Sequence, residues 1–181
     1  MNQTVTLTRS CTATIIPAGD EINLAEGATY SIAQSLGGSV TLRDASGMYR
    51  VGESELDALG EDVKQEVLKE KDSSKDTGPF SEKKVWDAMR GCYDPEIPVN
   101  IVDLGLIYDL KIEDGDSGKQ VGVKMTLTAQ GCGMGPVIAD DAKQRILALS
   151  EVESTEVEIV WDPPWNPRMI SEEGKKVLGL E

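Results

Sequence analysis

The sequence predicts an α+β protein in two parts: a small all-β domain over residues 1–52, then an α-β-β-α-β-α domain over residues 80–181. Three features predict it. From Val5 to Ala13 the apolar residues fall mostly on odd positions, the pattern of a half-buried strand, and short strand-like runs punctuated by proline and glycine follow. Residues 53–79 are dominated by charged, polar and turn-forming side chains. From Phe80 onward, stretches of helical spacing and of strand alternation follow one another.

In the first domain the apolar side chains fall on odd positions (Val5, Leu7, Cys11, Ala13, Ile15), and Arg9 interrupts them. "IIPAGDEINL", "TYSIAQSLGGSVTL" and "DASGMYRV" continue as short strands punctuated by Pro17, Gly19, Gly37, Gly38 and Gly47. A barrel or compact sandwich is expected. Ser54 is placed to cap a short helix, "ELDALG", that stops at Gly60. "EDVKQEVLKEKDSSKDTGP" then reads as a solvated linker, partly helical over residues 63–69, because it holds too few apolar side chains to bury.

The second domain opens on "FSEKKVWDAMRGC", where Ser81 can cap and Phe80 can staple onto Val85. Val85, Met89 and Cys92 make its apolar face, with Trp86 beside it. Pro95 and Pro98 disfavour helix in the residues before them, so this helix ends near Cys92 and a loop follows. Gly105 marks the entry to a hairpin whose second strand alternates Val121, Val123, Met125 and Leu127 with polar residues. Pro136 opens a helix carrying Ile138, Ala142, Ile146 and Leu149 on one face. Val157, Ile159 and Trp161 form a last strand, and "MISEEGKKVLG" a terminal helix.

At 181 residues with 39% hydrophobic content, the chain can bury one moderate core or two small ones. Its net charge of −14 repels phosphate backbones and anionic lipid, and no basic patch offsets it; neither a nucleic acid nor a membrane partner is expected. No apolar run approaches membrane-spanning length and the N-terminus lacks a secretion signal, so a cytoplasmic location is expected. Cys11, Cys92 and Cys132 lie far apart and make a poor disulfide framework. The absence of histidine removes the common zinc sites and the histidine-paired nucleophiles.

Three stretches could carry chemistry. In "TLTAQGCGMGPVIADDA", Cys132 stands just before a helix N-terminus, whose free amides and positive dipole favour thiolate over thiol. Gly131, Gly133 and Gly135 leave room for a cluster or partner to approach; alternatively they make a tight turn that Cys132 merely fills. A phosphate-binding reading fails, because Pro136 replaces the third fingerprint glycine and a hairpin precedes where a βαβ unit is needed. In "CYDPEIPVNIVDLGLIYDL", Asp94 could orient a thiol, accept a proton or bind metal, or it could accept backbone amides in an Asx-type turn. Glu96 shares that loop, and Asp103 carries the same ambiguity. Cys92 and Cys11 fall in phase with apolar neighbours and read as core residues. In "WDPPWNP", Trp161 and Trp165 offer either a partner surface or rigid core anchors.

These stretches together resemble the PaaD/SufT-type iron-sulfur assembly family. The matching residues are "DPEIPVNIVDLGLIYDL", "TLTAQGCGMGP" with Thr128 and Cys132 in a T-x-x-x-C pattern, and "WDPPW", within a match running from Ser81 to the end. "CTATIIPAG" and "QSLGGSV" resemble the extra domain of the SufT-type members. The resemblance implies a role in maturing iron-sulfur proteins, with Cys132 as the reactive cysteine and Asp94 as its accompanying acid. It implies an iron-sulfur cluster or iron held transiently, and scaffold or carrier proteins and client apoproteins as partners. Cys132-Gly133 departs from the Cys-Pro of many relatives.

Biological clusters take four ligands, mostly thiolates, and one exposed thiol cannot close such a site. Two subunits could present Cys132 across a homodimer, a client could supply the rest, or the domain could dock partners without metal. A non-enzymatic assembly factor is therefore expected, with Thr128, Glu96, Asp103, Gly131 and Gly133 supporting Cys132 and Asp94, and Trp161 and Trp165 facing partners. The alternatives are an accessory subunit maturing one metalloenzyme, a thiol enzyme using Cys132, and a purely structural interaction module.

Overall fold

In the computed structural model, residues 3–72 and 78–180 are described. The chain divides into two compact units, Met1–Lys75 and Asp76–Glu181.

The N-terminal unit is one antiparallel sheet of six strands: β1 (Thr4–Thr6), β2 (Cys11–Ile16), β3 (Glu21–Leu24), β4 (Thr29–Leu36), β5 (Ser39–Arg43) and β6 (Met48–Val51). Their order is β1-β4-β5-β6-β2-β3. In this hydrogen-bonded order β1 and β3 stand at the two ends. The alternation breaks at Arg9 because the strands do: β1 ends at Thr6 and β2 starts at Cys11. Arg9 reaches instead to the segment after the sheet, where Nε and Nη2 donate to the Asp57 carboxylate at 2.7 and 2.6 Å and Nη1 donates to Glu55 at 2.9 Å. Its hydrogen bonds, and after them its charge, hold the Asp57 carboxyl below the usual range.

Two expectations for residues 53–79 need correction. Glu53–Leu59 form a 3-10 helix whose capping position is Gly52, so Ser54 lies inside the helix. The expected spacer continues as helix α1 (Glu61–Asp72), and its Val67, 1% exposed, joins Leu42, Val51 and Leu56 in the N-terminal core. Val63, partly buried, packs against the same core, and these apolar side chains dock a helix that is otherwise mostly charged, since helices in proteins are held chiefly by packing. The end of the expected linker, residues 73–77, lies outside the described residues.

The C-terminal unit follows the expected order. Helix α2 (Glu82–Arg90) leads to a hairpin, β7 (Ile107–Asp114) and β8 (Lys119–Met125), then helix α3 (Gly135–Leu147), strand β9 (Val152–Ile159) and helix α4 (Glu172–Leu178). β8 is central, antiparallel to β7 and parallel to β9. Val121, Val123 and Met125 of β8 are buried, as are Ile138, Ala142 and Ile146 of α3 and Val85 and Met89 of α2. Trp161 lies beyond the end of β9.

Candidate functional site

Cys132 occupies the connection between β8 and α3, and is half-buried; Cys11 and Cys92 are 2% and 1% exposed. The connection owes its shape to glycine at two points. Gly131 adopts φ +82°, where a β-carbon is strained, and the space beside it is open. Gly135, the first residue of α3, is buried so closely that a β-carbon would stand 2.6 Å from Leu127 Cδ1 and 3.4 Å from Ile159 Cδ1. The helix therefore starts hard against the ends of β8 and β9. Met134, the residue before it, supplies no side-chain cap, and no acidic residue lies in the first turn to offset the positive end of the helix dipole. The Gly135 amide donates to the Cys132 carbonyl at 3.2 Å. Thr128 and Gly133 are half-buried in the same loop, and Gly131 is exposed.

Asp94 lies in the loop after α2 and is 6% exposed. Its Oδ1 accepts the amides of Glu96 at 2.8 Å and Ile97 at 2.9 Å, the Asx-type turn. Burial pushes its carboxyl up, opposed by those two amide bonds. Glu96 itself is exposed. Cys92 is a core residue: its thiol donates to the Ile138 carbonyl at 3.7 Å and so ties the end of α2 to α3.

Asp103 serves the fold. Its Oδ2 accepts from Asn100 Nδ2 at 2.6 Å, its Oδ1 from Ser171 Oγ at 2.9 Å, and its carbonyl from the Ser171 amide at 2.8 Å. Ser171 in turn caps α4, accepting from the Gly174 amide at 3.0 Å. Asp103, expected to support the thiol, clasps the terminal helix through these bonds. Trp165, expected to face partners, is tied into the fold. Its indole N–H donates to the Leu104 carbonyl at 2.7 Å and the ring is half-buried, whereas Trp161 remains 40% exposed. Tyr108 donates to the Pro163 carbonyl at 2.7 Å, and Gly105, at φ +73°, lies where any β-carbon would fall on the Met169 carbonyl. These ties strap "WDPPWNP" over the entrance of β7.

The three stretches meet where β8 ends. The Val160 amide donates to the Met125 carbonyl and the Thr126 amide to the Leu106 carbonyl, both at 2.8 Å. Trp161 follows two residues after Ile159, the last residue of β9 and the register partner of Met125. Thr126, at this junction, was not among the expected site residues; a threonine in a strand-like run gives no sequence signal of being fully buried.

Among the described residues, no three histidine, cysteine, aspartate or glutamate side chains gather into a metal-ligand group. The C-terminal unit is thus an α+β domain that presents one accessible thiol in a glycine turn at the end of its sheet. Residues 82–159 match the family model described as iron-sulfur cluster assembly protein. The chain is 41% identical over 97 residues to the Fe-S protein maturation auxiliary factor YitW of Bacillus subtilis, covering 54% of this chain and 92% of that protein. It is 44% identical over 87 residues to the Fe-S protein maturation auxiliary factor SufT of Staphylococcus aureus, covering 48% of this chain and 96% of that one. A crystal structure of a domain of unknown function from Bacillus anthracis superposes with a TM-score of 0.50 at 36% identity, over 55% of this chain and 92% of that one. The chain belongs to the iron-sulfur cluster assembly protein family.

Proposed function

We propose that this protein is a non-catalytic factor in the maturation of iron-sulfur proteins, and that its C-terminal unit hands iron or a cluster to client apoproteins through Cys132. The observation that carries the reading is the placement of Cys132. It is the one cysteine of the three that is not buried, and it stands in an open glycine turn before a helix whose first turn carries no acidic residue. A single thiolate cannot complete a cluster's coordination, so the cluster is cargo and the remaining ligands come from a scaffold, a carrier, a client or the Cys132 of a second copy. Asp94 supports the loop after α2 and is the acid this reading assigns as a hard, labile second ligand, which suits transfer better than storage. The family names of the relatives support the maturation role; the cysteine route rests on the geometry of the turn.

The test is complementation. Cells lacking this protein and starved for iron-sulfur supply receive the wild type or Cys132→Ser at equal abundance, and a cluster-dependent enzyme is assayed. The wild type restores activity and Cys132→Ser does not. Equal rescue by both would overturn the thiol route.

A second reading has its own observation. Trp161 is 40% exposed and lies just past the end of β9, whose last residue pairs with the last residue of β8, the strand that leads into the Cys132 loop. A protein that only docks partners would lose function with Trp161→Ala and keep it with Cys132→Ser.

A further inference from the structure

The threonine at the junction of the three stretches has a hydroxyl the fold does not use. Thr126 is 0% exposed, its amide is held by Leu106, and its Oγ1 has no hydrogen-bond partner among the described residues. Valine has the same shape and would fill the same space without burying a polar atom, so for stability alone the hydroxyl is a loss. One other hydroxyl among the described residues shares this condition: Thr155 Oγ1, in the middle of β9 opposite Val121. The two differ in place. Thr155 is inside the sheet, whereas Thr126 is the first residue after β8, at the root of the loop that carries Cys132. It is also where the loop meets the two other stretches, because Leu106, which holds its amide, lies between Leu104 and Tyr108, the two residues that tie down the "WDPPWNP" strap.

We propose that Thr126 is a positioning residue for Cys132: when the loop engages its cargo, the Thr126 hydroxyl donates a hydrogen bond to a main-chain carbonyl of residues 128–133 and fixes the thiol in its working orientation. Gly131, in the left-handed region with open space beside it, gives that loop the freedom to adopt a second arrangement. The inference rests on the thiol reading above and deepens it. It makes no claim on the resting structure, in which the hydroxyl is idle.

The experiment uses the full chain and four variants: Thr126→Val, Thr126→Ser, Thr155→Val and Cys132→Ser. Thermal midpoints and complementation at equal abundance are measured for each. The expected result is that Thr126→Val keeps or raises the midpoint yet lowers maturation at least five-fold. Thr126→Ser, which keeps the donor, restores it, and Thr155→Val keeps full activity with an equal or higher midpoint. Full maturation by Thr126→Val beside an inactive Cys132→Ser overturns the role of Thr126 and leaves the thiol reading intact. Full maturation by Cys132→Ser removes the thiol reading itself. If Thr126→Val lowers the midpoint and loses activity together, Thr126→Ser decides: a serine variant with the wild-type midpoint and no activity overturns the proposal, because the donor is still present.

Discussion

Asp94 bears two separable loads, and substitution can split them. Replacing it with alanine removes the acceptor for the Glu96 and Ile97 amides, held at 2.8 and 2.9 Å in a loop where Asp94 itself is 6% exposed. A hydrogen bond to an ionised acceptor contributes roughly 1.5–3 kcal/mol at most, and these amides are only partly buried, so the pair is worth about 2–4 kcal/mol. For a unit of this size that lowers the thermal midpoint by about 10–25 °C. The Asp94→Asn side chain keeps an oxygen in the same place for both amides and drops the buried charge, so this variant stays within about 1 kcal/mol of the wild type at neutral pH. The sign of the pH effect follows from burial. The folded carboxyl titrates above its unfolded value, so the folded state binds the proton more tightly. Asp94 therefore favours folding most at pH below the unfolded value of 3.8, and that contribution is lost as pH rises through the higher folded value. The amide of Asp94→Asn does not titrate and removes this component, so the gap between variant and wild type shifts in favour of the variant as pH rises. Tryptophan fluorescence follows the right transition, because all three tryptophans, Trp86, Trp161 and Trp165, lie in the C-terminal unit. If Asp94→Asn falls as far as Asp94→Ala, the turn is not what Asp94 holds, and the reasoning fails. If Asp94→Asn is stable but does not complement, the carboxylate itself is needed for transfer.

Other substitutions probe the frame around the thiol. Gly135→Ala pushes a methyl to 2.6 Å from Leu127 Cδ1 and costs about 1–3 kcal/mol in urea unfolding, and Leu127→Ala in the same chain recovers part of that loss; strict additivity would refute the contact. Asp103→Ala frees α4 by removing the acceptor for Asn100 and Ser171, at a cost of about 1–3 kcal/mol, and limited proteolysis then cuts within residues 171–180 while the Cys132 loop stays intact. With a bulky maleimide, the native chain takes up one equivalent at Cys132 quickly, and Cys11 and Cys92 label only on unfolding; rapid labelling of either at native conditions would contradict their burial.

Periodicity carried the reading furthest. The alternation of Val121, Val123 and Met125, and the spacing of Ile138, Ala142 and Ile146, mark residues that the structure buries, because a side chain's face follows from the geometry of its own element. The candidate thiol was legible for the same local reason: a cysteine among glycines, before a proline that opens a helix, can be placed without knowing the rest of the fold. Its two sister cysteines were legible as core residues from their phase.

What depends on long-range partners was beyond the sequence. Asp94 and Asp103 look alike in a string, each an acid in a proline- and glycine-marked loop, and only the return of Ser171 from 68 positions away makes Asp103 a clasp. Trp161 and Trp165 likewise differ only because the Leu104 carbonyl, 61 positions from Trp165, stands within reach of its indole. The docking of α1 through Val67 and the idle hydroxyl of Thr126 belong to the same class. The sequence by itself determined the element order, the core faces and the place of the thiol, since these follow from spacing along one segment. The tertiary structure decided which polar and aromatic side chains are occupied and which are free, since that depends on what the folded chain brings opposite them.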